Sequence, residues 1–313
     1  MARSPVARFF SFVLASVGAL AVVAFLSLSL AQSADPFAQA RAAYDRGDFG
    51  TAREHFRVLA DLGQPKAQTM MGHTYLAHRA VPTDFVIADH WYGRAAERGE
   101  PNGQLFHATL GLADDPYSQN KVPPIEVAAG IDLMRKAATQ GLTEAITRLA
   151  AVLADGAVMP DAPYHQLETW PIGIARAKQH PKNDAEAAMW LAKAAAQGDS
   201  QSQELLGLRH LDGAGVSKDD SEAYFWLSVA ALRPLPKNDI YCVEVDRRKF
   251  VLKYRARVKA RLSGGQIASL DERVRAWRAA PQPDFGTDIY TPAERASIAE
   301  PPDFGKILCR KLD

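Results

Sequence analysis

Ser202-Gln203-Glu204-Leu205-Leu206-Gly207-Leu208-Arg209-His210-Leu211-Asp212-Gly213-Ala214-Gly215-Val216, continuing to Asp219 and then Ala223, Trp226, Leu227 and Ala230, holds two apolar stripes on either side of a glycine-rich turn. Within each stripe the apolar residues recur every three to four positions, which puts them on one face of a helix. Gly213 and Gly215 separate the two helices. The stretch is a helix hairpin, and Gly207 is a small residue where the partner helix must come close.

The same pattern recurs through the chain. Leu59-Ala60-Asp61-Leu62-Gly63, Ala95-Ala96-Glu97-Arg98-Gly99, Ala137-Ala138-Thr139-Gln140-Gly141 and Ala194-Ala195-Ala196-Gln197-Gly198 end on glycines 36, 42 and 57 residues apart. A helical stripe precedes the later copies: Ala88, Trp91, Tyr92, Ala95; Gly130, Leu133, Met134, Ala137; Ala187, Trp190, Leu191, Ala194. After each glycine a further helix carries a small residue, Gly72, Ala108, Ala150 or Gly207, and the Trp or Leu of the facing helix is expected to fill the layer between hairpins. A hairpin repeated about every 36 residues stacks into an all-α, right-handed α-solenoid, here of about five hairpins with a C-terminal helical cap.

These residues resemble a Sel1-like repeat, a relative of the tetratricopeptide repeat. Leu206-Gly207-x-x-His210-x-x-Gly213-x-Gly215-Val216, Asp219, Ala223, Trp226-Leu227 and Ala230-Ala231 match it, with His210 where Tyr is usual. Residues 71–99 match a second time, through Met71-Gly72, Tyr75, Asp84, Ala88, Trp91-Tyr92, Ala95-Ala96 and Gly99. Residues 105–141 and 147–198 match with weaker first helices and insertions, and 36–63 suits Sel1 and tetratricopeptide patterns equally. The structural positions of the repeats are thus Gly72, Trp91, Trp190, Gly207 and Trp226. The resemblance implies a scaffold that binds a protein partner rather than a named one. Some secreted relatives are described as β-lactam-binding or β-lactam-hydrolysing, but those carry a cysteine pair in each repeat and this chain has two cysteines in all.

The chain has 313 residues with 37 Lys and Arg against 36 Asp and Glu, and 47% hydrophobic residues. That balance excludes a disordered polyelectrolyte and a polytopic membrane protein, and carries no nucleic-acid signal. Residues 9–31 hold no charge and follow Arg3 and Arg8, so residues 1–31 read as an export segment, with Ser29 and Ala31 in signal-peptidase spacing. Cleavage is the expectation. An uncleaved anchor facing the same compartment is the alternative, because the run is long enough to cross a bilayer core. The expected location is a bacterial periplasm, or the inner membrane facing it. Cys242 and Cys309, both outside the repeats, would then meet an oxidising compartment, and a disulfide between them would close a loop of about 68 residues and contribute on the order of 4 kcal/mol. Two independent thiols are the competing reading.

The solenoid is expected over 36–233, with an insertion at 155–183 that carries Tyr164, His165 and Trp170 as candidate partner-binding residues at one rim. Residues 238–280 form a basic segment: Asp239–Ala280 holds eleven Lys and Arg against five Asp and Glu. It reads as a capping hairpin, with Phe250, Val251, Tyr254, Val258 and Leu262 on one face of its first helix and Ile267, Leu270, Val274 and Trp277 inside its second. Its cations are expected in water or against the acidic body, with anionic lipid as the sharper alternative. Residues 281–313 are a proline-rich tail in which Pro-Asp-Phe-Gly occurs at 283–286 and again at 302–305.

Chemistry is scarce. No Gly-x-Ser-x-Gly, His-Glu-x-x-His, Walker loop or Cys-x-x-Cys occurs, and no catalytic residue, metal site or cofactor is assigned. His73 and His78 point to different helix faces, while His55, His90, His107 and His210 stand singly. The acid pairs Asp114-Asp115 and Asp219-Asp220 suit loops and helix starts. The functional expectation is a non-enzymatic periplasmic adaptor that binds another envelope protein or peptide on its concave face. A cell-wall-modifying or β-lactam-binding enzyme is one alternative, and it would show as a buried cluster of interacting titratable groups in the groove. A structural envelope anchor is the other. Membrane contact is expected only through an uncleaved N-terminal segment or the basic cap.

Overall fold

The computed structural model describes residues 35–76, 83–113, 122–155, 181–232 and 242–287. The export segment, the centre of the insertion with Tyr164, His165 and Trp170, and Cys309 lie outside them. The described residues form twelve helices and no strand: α1 Pro36–Asp45, α2 Phe49–Asp61, α3 Pro65–Leu76, α4 Phe85–Glu97, α5 Pro101–Leu112, α6 Val127–Thr139, α7 Thr143–Asp155, α8 Asp184–Ala196, α9 Ser200–Asp212, α10 Asp220–Ala230, α11 Cys242–Lys259 and α12 Gly264–Ala276.

From α1 to α11 each helix packs on the next, and they group as five hairpins (α1–α2 through α9–α10) closed by α11 and α12, which both pack on α10. Beyond those sequential neighbours, α3 also touches α5, α9 touches α11 and α10 touches α12. Between the second and third units it is the first helices, α3 and α5, that approach each other, as the inner row of a curved stack does. The apolar residues form a series of clusters passed from unit to unit, as expected where each repeat contacts only its neighbours.

Local chemistry sets the boundaries. Asp48, Asp84, Asp199 and Asp219 each cap the helix that follows by accepting its free N–H groups. Gly63, Gly99, Gly141 and Gly198 have φ of 89°, 79°, 97° and 98°, which is left-handed backbone. The residue after each donates back into the helix it leaves: Gln64 to Leu59, Glu100 to Ala95, Leu142 to Ala137 and Asp199 to Ala194. Those pairs are Schellman closures, and they turn the chain directly into the next first helix.

A second recurring bond closes the second to fifth hairpins. The carbonyl ten residues into the first helix accepts an N–H from the approach to the second: Asp84 to Tyr75, Ile125 to Gly111, Asn183 to Leu153 and Asp219 to His210. The bond from Asn183 to Leu153 is 2.8 Å despite the long insertion between them. The insertion is thus spliced into a hairpin whose helices meet as they do elsewhere.

The small residues sit at the crossings as the spacing predicts, but their partners differ. Gly72 faces the ring of Tyr92, not Trp91, and a Cβ on Gly207 would come within 2.8 Å of Leu227 Cγ, not of Trp226. Trp91 and Trp226 are only half-buried on the shoulder of the crossing, whereas Trp190 is buried in the core. The position after each tryptophan is the one aimed at the partner helix. In the cap Val251, Val258, Leu270 and Val274 are buried, but Phe250 is exposed and stacks beside Tyr254 on the surface. The cap cations face the acidic body, as the first of the two readings expects: Arg261 pairs with Asp220, Arg273 with Glu222, and Arg273 also lies over the ring of Phe225.

The crossing glycines set a stability prediction. Gly207→Ala forces Leu227 and its backbone aside and is expected to lower stability by about 1–3 kcal/mol, read as a lower urea midpoint. Gly264→Ala, with nothing within 4 Å, is expected to be neutral or stabilising by up to about 1 kcal/mol.

Candidate functional site

Residues 279–287 leave the cap and run back along the repeats, against the order of the units. The Ala279 methyl lies over Gly198; Ala280 N–H donates to the Ala196 carbonyl at 2.7 Å and Gln282 Nε2 to the Gln197 carbonyl at 2.9 Å. Pro283 rests on Gly141, where a Cβ would meet its Cγ at 3.1 Å, and Gly286 lies beside Lys66 and Phe37. The segment follows the row of glycine turns from the fourth unit to the first. The start of the proline-rich tail is therefore docked on the inner side of the solenoid.

It ends in a polar pocket. Thr287, fully buried, donates from Oγ1 to Glu100 Oε1 at 2.9 Å and accepts from Asn102 Nδ2 at 2.7 Å. Its carbonyl lies 3.0 Å from His73 Nε2. A carbonyl only accepts, so Nε2 carries the proton and Nδ1 accepts from the Tyr92 hydroxyl at 2.6 Å. Glu100 Oε2 takes Thr69 Oγ1 at 2.6 Å and the Gly103 N–H. The rings of His73 and Tyr92 pack on Phe106 from two sides.

Fold positions every member. Glu100 follows the Gly99 closure and caps α5, which fixes its carboxylate over the helix start and puts Asn102 in the first turn. Thr69 and His73 are one turn apart on α3, on a common face. Burial raises the Glu100 carboxyl above its ordinary value of 4.5, against the opposing pull of its hydrogen bonds from Thr69, Gly103 and Thr287 and the positive charge of Lys66.

Glutamines at the ends of the second helices bind the units to each other beside this segment. Gln140 donates to the Gly99 carbonyl and Gln197 to that of Gly141, one unit back. Gln68 and Gln203, three residues into first helices, donate to the Ala60 and Ala195 carbonyls. The glutamine in the recurring Ala-Ala-x-Gln-Gly phrase is an inter-unit tie.

The pocket's residues do not stand out in the sequence. His73 shows there only as a single histidine, and Glu100, Asn102 and Thr287 carry no motif. The legible signals were a proline-bearing segment straight after a well-capped helix and polar residues at inward positions of α3. Two other histidines have partners: His107 Nδ1 lies 2.7 Å from Asp89 Oδ1, and His210 Nδ1 lies 3.2 Å from the Ser217 carbonyl. Among the described residues no three His, Cys, Asp or Glu side chains gather as metal ligands would. None of their helices is long and apolar enough to cross a membrane.

A stack of glycine-turned helix hairpins, with the chain's own end lying along it, defines an all-α repeat solenoid. The Sel1 repeat model matches residues 65–100, 122–142, 177–199 and 200–234, so those stretches are Sel1-like repeats. Such repeats generally mediate protein–protein interaction. The structure is similar to that of a Sel1 repeat protein from Oxalobacter formigenes, at 22% identity and a TM-score of 0.50 over 70% of this chain and 84% of that one. It is also similar to a protective antigen of uropathogenic Escherichia coli displaying an SLR fold, at 22% identity and a TM-score of 0.41 over 81% of this chain and 58% of that one. No curated protein matches the chain.

Glu100 gives the pocket a pH signature. Because its folded pKa is raised, the folded chain holds the proton more tightly than the unfolded one, so its contribution to stability is full below the unfolded value and is lost as pH rises through the folded one. Wild type is expected to lose stability relative to Glu100→Gln as pH climbs from about 4, in paired thermal melts. A constant difference across pH would contradict the assignment.

Proposed function

We propose that this protein is a periplasmic adaptor that binds an extended segment of another envelope protein along the inner row of its repeats. The observation that carries the reading is the docked stretch 279–287, which is polypeptide held by main-chain carbonyls of the turns and by buried side chains. The exported location rests on the basic start and the uncharged run of residues 9–31.

The groove does hold a buried cluster of interacting titratable groups, His73 with Tyr92 and, through Thr287, Glu100. That cluster was the mark set for an enzyme. Its composition favours binding. With the segment docked, both ring nitrogens of His73 and both oxygens of Glu100 are hydrogen-bonded, and the hydroxyls that face Glu100 are those of Thr69 and Thr287, with no serine or cysteine among them.

Two measurements test the reading. Photo-crosslinkers placed at Lys66 and Gln140, on the wall of the groove, are expected to capture an envelope polypeptide in cells, while those at Val58 and Met189, exposed elsewhere on the solenoid, are not. Equal capture from both sets would overturn the groove as the binding face. Fusion of residues 1–34 to alkaline phosphatase, which is active only after export, is expected to give active enzyme; an inactive fusion that accumulates in the cytoplasm would overturn the location.

A further inference from the structure

The pocket at the end of the docked segment is more selective than a peptide groove needs to be. The main-chain bond from Ala280 to Ala196 would hold any extended chain, and the Gln197 carbonyl asks only for a side-chain donor such as Gln282 Nε2. At Thr287 the situation is different. One oxygen, Oγ1, must donate to a carboxylate that is already fixed by Thr69 and the Gly103 N–H, and must accept from the amide of Asn102. An aliphatic hydroxyl does both at a single atom, whereas an amide, an ammonium or a carboxylate presents only donors or only acceptors at the atom concerned. Zero exposure of Thr287 leaves no room for a phenol ring. His73, with its proton on Nε2, reads the carbonyl of the same residue and so fixes the direction of the chain.

The approach to the pocket is shaped too. Gly286 has φ of 67°, a left-handed turn closed by its N–H donating to Asp284 Oδ1 at 2.8 Å. An Asp two residues before a glycine therefore presets the bend that delivers the following hydroxyl residue. The second Pro-Asp-Phe-Gly, at 302–305, is followed by Lys306 and lacks that residue.

We propose that Thr69, His73, Glu100 and Asn102 form a subsite for a residue with an aliphatic hydroxyl, in an extended peptide of the form Pro-Asp-x-Gly-Thr or Pro-Asp-x-Gly-Ser, and that the chain's own residues 279–287 occupy it until a partner's segment of the same form displaces them. The inference rests on the groove being a polypeptide-binding face, and adds which residue the groove selects. Displacement is needed because a tethered segment competes at the high effective concentration set by its short connection to α12. It is feasible because the pocket's polar groups return to water, not to an apolar void, when the segment leaves.

The test uses the chain from residue 32 onward, its Thr287→Val and Thr287→Ser variants, and labelled peptides blocked at both ends. One peptide has the sequence of residues 278–287, a second replaces its threonine by valine, and a third has the sequence of residues 300–306. Thr287→Val is expected to bind the threonine peptide at least about tenfold more tightly than wild type does, because its own segment competes less well, while Thr287→Ser binds as wild type. The valine peptide and the 300–306 peptide are expected to bind Thr287→Val at least about tenfold more weakly than the threonine peptide. Equal affinity for the threonine and valine peptides would overturn the subsite and leave the groove standing. Absence of binding by every peptide to a Thr287→Val chain of wild-type helicity would overturn both. If Thr287→Val does not fold, the same threonine-to-valine ratio measured on wild type decides.

Discussion

The left-handed glycine turn between units is the constraint on which the rest depends. At Gly63, Gly99, Gly141 and Gly198 the backbone takes φ between 79° and 98°, which an L side chain adopts only at a cost, and each turn closes with a main-chain bond back into the helix just ended. That geometry starts the next first helix at once and sets the spacing of the inner row. It also leaves the carbonyls of residues 99, 141, 196 and 197 facing sideways, where glutamine ties from the next unit and the 279–287 segment take them up. Ordinary right-handed residues there would redirect every following helix and remove the acceptors together.

Helices α3 and α5 show what that arrangement permits. Both are buried almost all round, yet they carry Gln68, Thr69, His73, Thr74, Asn102, Gln104 and Thr109. Polar groups in such positions are costly unless paired. Here some pair within the helix, as Thr74 with Met71 and Thr109 with Leu105. Gln68 pairs with the preceding unit, Thr69 with Glu100 and Gln104 with Gln140, and His73 and Asn102 pair with the returning segment. The inner face of these units is thus completed by the chain's own returning segment, and without it these polar groups would have water as their partner.

The cap solves a different problem. A stack of hairpins ends on an apolar face, and α11–α12 cover it with Val251, Val258, Leu270 and Val274. Three of its arginines are used locally, on Asp220, Glu222 and the aromatic faces of Tyr224 and Phe225, while Lys249, Lys253, Arg257, Lys259 and Arg275 are exposed. The hydrogen bond from Arg261 lowers the Asp220 carboxyl below its ordinary value, the direction expected of a carboxylate that accepts from a guanidinium. The capping box at Ser263 and Gln266 starts the last helix, whose end then releases the chain toward the groove.

By itself the sequence determined the helices, their pairing and the repeat, because those are written in signals a few residues apart: apolar period, acidic cap, glycine stop. Gly72 and Gly207 were legible as crossing points for the same reason, although the choice of Tyr92 and Leu227 over the neighbouring tryptophans depended on the rotation of one helix against another. Only the tertiary structure decided the site. His73 and Thr287 are 214 positions apart, and Glu100 and Thr287 are 187 apart. No local pattern couples residues at that separation. They meet because the summed turns of five units bring the end of the cap back over the inner row, and a polar residue on one helix acquires its meaning only from the segment that arrives there.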